Sequence, residues 1–217
     1  GLEIGAGTGQ ATDLFIKVIN DLDIVEVGDK QVDYLMEKYK SENVNTYKAY
    51  FEDFKSNKKY DLIFSATAFH WVDATVGYPK VWDMLNDSGV LAVFWHMSSV
   101  TLHDTGIFVG LNEIKKKYLP EESLGFDKEG IEGVRQKRIS QIQSGNYFGI
   151  PVIKEYRWID TYDADRYSLL LESYSSTQTL DEEHKKLYLS EVRDYINSNG
   201  GVVEMPQHVM LYLVKKE

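Results

Sequence analysis

Apolar residues occur in the first half of the chain as short runs of strand length. After an opening run at residues 2–4, such runs cover residues 23–27, 43–49, 59–66 and 90–95, and each predicts a buried strand. Between these runs, apolar residues recur every three or four positions, which is the spacing of an amphipathic helix. Strands that alternate with helices predict an α/β fold with a mostly parallel sheet.

Three helices are predicted between these strands, at residues 10–20, 30–39 and 79–86. The buried face of the first is expected to consist of Leu14, Phe15, Val18 and Ile19. The buried face of the second is expected to consist of Val32, Leu35, Met36 and Tyr39. The third is short and should end at the turn residues 87–89.

The alternation pauses at residues 98–149, which we predict to be a helical insertion in a single domain that spans residues 1–217. Ile107, Leu111, Ile114 and Tyr118 mark one helix of this insertion, and residues 131–142 suggest another. The glycines expected to interrupt between them are Gly125, Gly130 and Gly133. Because the insertion follows a strand at the carboxyl edge of the sheet, we expect it to roof the site there and to select the substrate.

The remaining third of the chain returns to alternating elements. A half-covered strand is predicted at residues 152–160, helices at 165–175 and 181–198, and a final strand at 202–214 that pairs with its predecessor like a hairpin. Asp181 is the expected N-cap of the second helix, and Asn199 to Gly201 should end it. Pro206 favours an edge or a bulge for the final strand.

Composition narrows the possible functions. The formal net charge of −10 argues against a nucleic-acid partner, and we expect the basic clusters at 115–117 and 135–138 to be solvated helix faces. The chain has no cysteine, which excludes disulfides and thiolate metal sites, and we predict no metal centre. No apolar run approaches about 18 residues, so we expect no membrane span. Without a recognisable signal peptide, the expected location is the cytoplasm, and the oligomeric state stays open.

The most informative segment is the glycine-rich turn after the first strand. Gly5, Gly7 and Gly9 alternate with other residues in the run Leu2-Glu-Ile-Gly-Ala-Gly-Thr-Gly-Gln10. Glycines allow positive φ and let a ligand lie against bare main chain. A dinucleotide fingerprint needs its third glycine one residue later, where Gln10 stands. A structural turn without a ligand is the alternative.

This run resembles motif I of the class I S-adenosylmethionine-dependent methyltransferases. The resemblance implies that S-adenosylmethionine is the cofactor and that this segment contacts it. The residues so implied are Glu3, Gly5, Ala6, Gly7, Gly9 and Gln10. The chain opens at Gly1 with three residues of strand, whereas strands usually run about 5–6 residues. We therefore expect the chain to be N-terminally truncated, without a helical segment that covers the cofactor in that family.

An acidic residue follows about 20 positions after the loop, at the end of the second strand. A carboxylate there can accept both hydroxyls of a ribose, and we assign this role to Glu26, with Val27 beside the cofactor. Asp29 is the nearest competitor, and Glu26 could also be only a polar strand end.

The segment after the third strand is the predicted adenine site. In the resembling family an Asp near its start contacts the adenine, but Tyr50 occupies that position here, which puts this contact in doubt. Phe51 and Glu52 are the remaining candidates, and a plain loop with one packed Phe is the alternative.

The second motif is Ser65-Ala-Thr-Ala-Phe-His-Trp-Val-Asp73, directly after the fourth strand. It resembles the corresponding segment of the small-molecule methyltransferases known as type 11. The resemblance places Ala66 and Thr67 at the cofactor and His70 at the transferable methyl, with His70 as the candidate general base. The predicted substrate pocket consists of Trp71, Trp95, His96 and Tyr174. Packing of the loop is the alternative for His70, Trp71 and Trp95.

The resemblance covers nearly the whole chain and implies a Rossmann-like, seven-stranded sheet of order 3-2-1-4-5-7-6 with strand 7 antiparallel and helices on both faces. The predicted function is methyl transfer from S-adenosylmethionine to a small-molecule acceptor, whose identity the sequence does not name. A non-catalytic binding protein on the same fold is one alternative. A nicotinamide-dependent oxidoreductase is another, disfavoured by Gln10 and by the reversed last strand.

Overall fold

A computed structural model describes residues 1–40, 42–96, 106–120 and 130–216 of the chain. These residues form two compact units. The first contains residues 1–40, 42–96, 135–155 and 209–216, and the second contains residues 106–120, 130–134 and 156–208. Part of the predicted insertion, including Gly125, lies outside the described residues. Its expected role as a roof stays a prediction.

The strands and helices alternate through the first unit as the sequence predicts. The strands are β1 Leu2–Ile4, β2 Leu22–Glu26, β3 Val44–Lys48, β4 Tyr60–Ala66, β5 Leu85–His96, β6 Val152–Asp163 and β7 Val202–Lys215. The helices of the described ranges are α1 Thr12–Phe15, α2 Asp29–Lys38, α3 Ala74–Met84, α4 Ile107–Tyr118, α5 Gly130–Gln143, α6 Ala164–Glu172, α7 Ser175–Gln178 and α8 Glu182–Ser198.

The seven strands form one sheet in the order β3-β2-β1-β4-β5-β7-β6. Strands β1 to β5 pair in parallel, and β7 runs antiparallel to β5. The predicted fold and strand order are therefore confirmed. The strand order reverses between β1 and β4, and ligands in open α/β sheets bind beyond the carboxyl ends of strands at such a point.

The register brings the carboxyl ends of four strands to the same edge. Ile4 of β1 pairs with Val25 of β2, and Glu26 pairs with Lys48 of β3. On the other side of β1, Glu3 pairs with Phe64 of β4. The hydroxyl of Ser65 donates a hydrogen bond of 2.7 Å to the carbonyl of Ile4, which links β4 to the last residue of β1.

Each unit has an apolar core of its own. In the first, Leu22, Ile24 and Phe64 are fully buried in the sheet, and the ring of Phe15 stacks on Phe64 with centroids 3.9 Å apart. In the second, α4, α6, α8 and the start of β7 share a core. Leu111 and Ile114 of α4 are buried in that core, as the periodicity predicts.

The first helix differs from its prediction. It covers only Thr12–Phe15, and Leu14 and Val18, which we expected to be buried, are 64% and 78% exposed. The side chains that pack on the core are Phe15, Ile16 and Ile19. Five apolar residues in this short stretch present two overlapping stripes, and the periodicity does not distinguish them, because both have helical spacing.

The buried face of α2 and the first residue of α3 also differ from the predictions. Met36 of α2 is 51% exposed, since Leu35 and Tyr39 define the buried face and Met36 projects about 100° away from Leu35. Helix α3 starts five residues before Pro79, because the carboxylate of Asp73 accepts the backbone N–H of Thr75 and caps it there. Strand β5 starts at Leu85, and residues 86–89 form an irregularity in its pairing with β4.

The final strand is interior, so the edge position that Pro206 suggested is wrong. Strand β7 lies between β5 and β6, so the predicted pairing with its predecessor β6 is confirmed. Its pairing with β5 runs from Val209 to Lys215. Pro206 lies before that stretch, so its missing N–H removes none of the hydrogen bonds to β5. The predicted caps of α8 are confirmed, with Asp181 accepting from the backbone N–H of His184 at 2.9 Å.

Candidate active site

A cavity of about 590 Å³ lies at the carboxyl ends of β1, β2, β3 and β4, within the first unit. This volume lies in the usual range of ligand sites. Most of the predicted cofactor residues line it, namely Gly5, Ala6, Gly7, Gln10, Glu26, Val27, Phe51, Glu52, Ala66 and Thr67. Ile4, Val25, Ala49, Tyr50, Ala68, Trp71 and Val72 complete the wall. The loops that the sequence singled out therefore meet around one space.

The three glycines of the first loop have different surroundings, although all have positive φ. A Cβ on Gly5 would lie 2.5 Å from the Cβ of Ala68, and one on Gly9 would overlap the hydroxyl of Tyr39. A Cβ on Gly7 would meet nothing within 4 Å. Gly5 and Gly9 thus allow the loop to pack against its neighbours. Gly7 leaves open space at the cavity wall.

Glu26 connects the end of β2 to this loop. One carboxylate oxygen accepts the backbone N–H of Gly7 at 2.8 Å, and the other accepts those of Val27 at 2.8 Å and Gly28 at 3.0 Å. A carboxylate can accept about four hydrogen bonds. The oxygen that faces Gly7 therefore keeps acceptor capacity for a ligand. The competing candidate Asp29 instead pairs with Lys48 at the surface.

Glu3 is fully buried beneath the loop and does not line the cavity. One of its carboxyl oxygens accepts the hydroxyl of Thr12 at 2.6 Å, and the other is buried without a hydrogen-bond partner. Burial raises the pKa of Glu3 to about 7, although the Thr12 hydrogen bond acts in the opposite direction. Its contact with a cofactor stays a prediction, as does that of Gly9.

The segment after β3 supplies an aromatic wall. Phe51 is buried and lies 6.3 Å from Phe69 between ring centroids, while Tyr50 is 67% exposed at the cavity. The carboxylate of Glu52 accepts the backbone N–H of Asp73 at 3.0 Å, which joins this segment to the turn after β4. The segment is therefore part of the site wall and not an isolated loop.

His70 and Trp71 lie on a 3-10 turn at residues 69–71, directly after β4. Trp71 lines the cavity and is 82% exposed, whereas His70 is not among the lining residues. The indole Nε1–H of the buried Trp95 donates to Nδ1 of His70 at 3.2 Å. Sequence reasoning placed both residues near the acceptor but gave no sign of this hydrogen bond.

Arg138 of α5 is the residue that the sequence analysis missed. We expected the cluster at 135–138 to be solvated, but Arg138 is half-buried and its guanidinium lies 4.3 Å from the centroid of the Trp95 ring. Burial, and secondly the charge of Arg138, lower the pKa of His70. No periodic signal separates Arg138 from its solvated neighbours, so the sequence could not have identified it.

The other predicted pocket residues are more dispersed. The backbone N–H of His96 donates to the hydroxyl of Thr67 at 3.3 Å, and the side chain of His96 is exposed. Thr67 itself has a positive φ of 53° beside the cavity. Tyr174 belongs to the second unit. The substrate-pocket roles of Trp95, His96 and Tyr174 stay predictions.

Two further properties concern the described ranges as a whole. Within them, no group of three or more His, Asp or Glu side chains is arranged to hold a metal ion. None of the helices found there combines the length and the apolar content that crossing a bilayer requires.

Comparison with known proteins supports a methyltransferase. Residues 2–93 match the family model described as a methyltransferase domain. Malonyl-[acyl-carrier protein] O-methyltransferase 1 from Ilyobacter polytropus is 30% identical over 95 residues. This match covers 42% of the chain and 35% of that protein, so the chain spans about a third of the curated relative.

Solved structures share the fold at low identity. A proposed type II methyltransferase from Anaeromyxobacter dehalogenans aligns with a TM-score of 0.66 at 15% identity, over 100% of this chain and 88% of that one. A proposed sarcosine dimethylglycine methyltransferase from Galdieria sulphuraria aligns with a TM-score of 0.55 at 16% identity, over 100% and 78%. These likenesses concern the fold alone.

The cavity also fits the cofactor of this class. Gly7 leaves space for a ligand against the main chain, Glu26 has acceptor capacity for hydroxyl groups, and Val25 and Phe51 provide apolar surface for a purine. The glycine loop, the acid at the end of β2 and the strand order thus agree with the family match. Residues 2–93 therefore match the methyltransferase-domain family, and both the sheet order and the cavity agree with that match.

Proposed function

We propose that this protein transfers the methyl group of S-adenosylmethionine to a small-molecule acceptor. The observation that carries the proposal is the cavity at the switch point, where Gly7 and Glu26 are joined by a hydrogen bond and both face the same space. When bound, S-adenosylmethionine supplies a strongly electrophilic sulfonium methyl group. The residues of the chain mainly have to bind, orient and exclude water.

Binding and orientation fall to the loops after β1, β2 and β3. The backbone of Gly7 can lie against the ligand, and Glu26 accepts hydroxyl groups with a carboxylate that is already held by three amides. Phe51 is rigidly placed by its burial between Phe69 and the Lys80 side chain, whose amine lies 5.2 Å from its ring centroid. A preorganised wall of this kind reduces the entropy lost on binding.

The turn after β4 is the part of the site that would contact the methyl acceptor. Ala66, Thr67 and Trp71 reach the cavity from this turn, and His70 of the same turn accepts the indole N–H of Trp95. An amine or an alcohol must lose a proton for methyl transfer, whereas a carboxylate is already ionised at neutral pH. His70 is the proposed polar contact for the acceptor. Trp71 is the proposed contact for its apolar part.

The test has two stages. Isothermal titration calorimetry with S-adenosylhomocysteine and, separately, with NAD should show binding of the first and not of the second. Preferential binding of NAD would overturn the cofactor and the function together.

Turnover is then measured with labelled S-adenosylmethionine on a panel of carboxylates, amines, alcohols and thiols. The Ilyobacter relative is named for O-methylation of malonyl-acyl carrier protein, so malonyl thioesters belong in the panel. Binding of S-adenosylhomocysteine without turnover on any acceptor would favour the non-catalytic alternative.

A further inference from the structure

The hydrogen bond between Trp95 and His70 has a chemical direction. An indole has a single N–H, which donates and cannot accept. Because Nε1 of Trp95 lies 3.2 Å from Nδ1 of His70, that imidazole nitrogen must provide a lone pair. A neutral imidazole carries its one proton on the other nitrogen, so His70 holds a proton at Nε2. Trp95 is 7% exposed, so water competes little for its N–H.

We infer that His70 presents a fixed Nε2–H donor to the acceptor, that Trp95 is the positioning residue that selects this tautomer, and that the acceptor is therefore a carboxylate. The inference rests on the proposed function, because it concerns the acceptor side of the same site. It replaces the general base that the sequence suggested for His70.

A base role conflicts with this geometry. Nε2 already carries a proton, so His70 could accept another only at Nδ1. Nδ1 accepts the Trp95 N–H, and protonation would leave two N–H groups facing each other at 3.2 Å. The loss of that hydrogen bond opposes protonation.

The positive charge of Arg138 also opposes protonation of His70. The guanidinium of Arg138 lies 4.3 Å from the centre of the ring of Trp95, the residue that donates this hydrogen bond to His70. Burial and this charge both keep the pKa of His70 below its ordinary value. Among the residues described, Arg138 is the charged group that acts on His70. Tyr78, on α3, stays neutral because burial raises its pKa.

The choice of acceptor follows from these two properties. The Nε2–H of His70 can donate a hydrogen bond but cannot take a proton from the substrate. It therefore suits a methyl-accepting atom that has no proton to lose. Among oxygen acceptors a carboxylate meets this condition at neutral pH, because its pKa is near 4, whereas an alcohol does not. The positive charge of Arg138 beside the pair also favours an anionic acceptor. The methyl group forms a bond to a carboxylate oxygen, its bond to the sulfonium sulfur breaks, and no proton moves.

The tautomer can be measured without any substrate. The full chain is labelled with ¹⁵N-histidine, and long-range ¹H–¹⁵N spectra are recorded at pH 7, with the His70→Gln variant identifying the His70 signals. We expect a pyridine-like Nδ1 and a protonated Nε2. An Nδ1-protonated or doubly protonated ring would overturn the inference.

Two variants isolate the cause. Trp95→Phe removes the indole N–H and should give a mixture of tautomers, while Trp82→Phe, a matched change elsewhere in the first unit, should leave His70 unaltered. An unaltered tautomer in a folded Trp95→Phe protein would contradict the inference. If that variant fails to fold, Arg138→Gln keeps the indole, and it should retain the tautomer and raise the pKa of His70. A lowered pKa would count against the inference.

Activity gives a second, independent readout. Glutamine can donate an N–H but cannot act as a base, so His70→Gln should keep turnover on a carboxylate acceptor within about tenfold, whereas His70→Ala should lose about 10- to 100-fold. Neither the native protein nor His70→Gln should show a rate limb near pH 6–7. Equal loss in both variants, a titration limb near pH 6–7, or activity only on amines would overturn the inference. Failure to bind S-adenosylhomocysteine would instead overturn the proposed function and leave the tautomer result intact.

Discussion

The carboxylate of Glu26 accepts the backbone N–H of Gly7 at 2.8 Å, so the end of β2 is tied directly to the middle of the glycine-rich loop. The two residues are 19 positions apart in the chain. Glu26 thus has two tasks, since it holds the loop in its open form and faces the cavity with the same carboxylate. Substitutions at Glu26 should consequently affect both loop order and ligand affinity.

Replacement of Glu26 by Gln tests this double role. The amide would place N–H groups against the amides that Glu26 now accepts, and it would remove the charge from the remaining hydrogen bonds. We expect S-adenosylhomocysteine to bind about 1–3 kcal/mol more weakly, the loss typical of charge-assisted hydrogen bonds. Calorimetry measures the affinity, and thermal unfolding shows whether the domain remains folded.

The control is Asp29→Asn, which changes the competing carboxylate and leaves the Gly7 contact in place. Its affinity should match that of the native protein. A larger loss in Asp29→Asn than in Glu26→Gln would move the ribose contact to Asp29.

The three loop glycines should divide into two classes when each is replaced by Ala. All three have positive φ, which costs an Ala about 1–2 kcal/mol. Gly5→Ala and Gly9→Ala also introduce a clash, with Ala68 and with Tyr39 respectively, and should lower the free energy of unfolding further. Gly7→Ala meets no protein atom, so its added methyl group should mainly weaken ligand binding.

Chemical denaturation and calorimetry on the three variants distinguish these effects. Gly7→Ala should be the most stable of the three and should show reduced affinity for S-adenosylhomocysteine. Native-like affinity in Gly7→Ala would mean that the space beside Gly7 is not used by the ligand.

Much of the cofactor side could be predicted because it depends on local sequence. A glycine-rich turn after a strand and an acid at the next strand end are adjacent in any parallel sheet of this order, so Gly7 and Glu26 were found without coordinates. The face of α1 could not be found in this way. Leu14 and Val18 have the same spacing as the residues that are buried, and only the position of β4, through Phe64, decides between them.

The acceptor side depends on contacts between distant residues. The Trp95 and His70 pair is 25 positions apart, and Arg138 reaches Trp95 from a helix whose periodicity is weak. No local pattern records such contacts. The sequence therefore singled out His70, whose role stays a prediction, but could not show which of its nitrogens is engaged.

Glu3 should make the stability of the domain dependent on pH. Its pKa is raised from 4.5 to about 7 in the folded state by burial, so the folded state binds the proton more tightly than the unfolded state does. The contribution is fully present below pH 4.5 and is lost as pH rises through about 7. A shift of this size corresponds to roughly 3 kcal/mol.

Glu3→Gln removes the titration and keeps an acceptor for the Thr12 hydroxyl. The difference in unfolding free energy between Glu3→Gln and the native protein should increase in favour of the variant between pH 5 and pH 8. Urea denaturation at several pH values measures it, and the subtraction cancels the other titrating groups. A difference that does not change with pH would show that Glu3 is ionised in the folded protein.

Trp71 should affect turnover without affecting stability or cofactor affinity. Its side chain is 82% exposed, so Trp71→Ala removes little buried surface and should shift the melting temperature only slightly. It lines the cavity on the turn after β4, where we place the acceptor. A residue that contacts only the acceptor changes the transition state and not the binding of the adenosyl group. We therefore expect kcat/KM to fall about tenfold or more while the affinity for S-adenosylhomocysteine stays the same.

Leu14→Ala is the control for Trp71→Ala, because Leu14 is an exposed apolar side chain that does not line the cavity. It should leave kcat/KM unchanged. A Trp71→Ala enzyme with full activity would show that this indole does not contact the acceptor, and the acceptor pocket would then have to be sought at Tyr50, the other strongly exposed aromatic residue of the cavity wall. Loss of S-adenosylhomocysteine binding in Trp71→Ala would instead place the indole on the cofactor side, where it would act with Phe51 as part of the adenosyl wall.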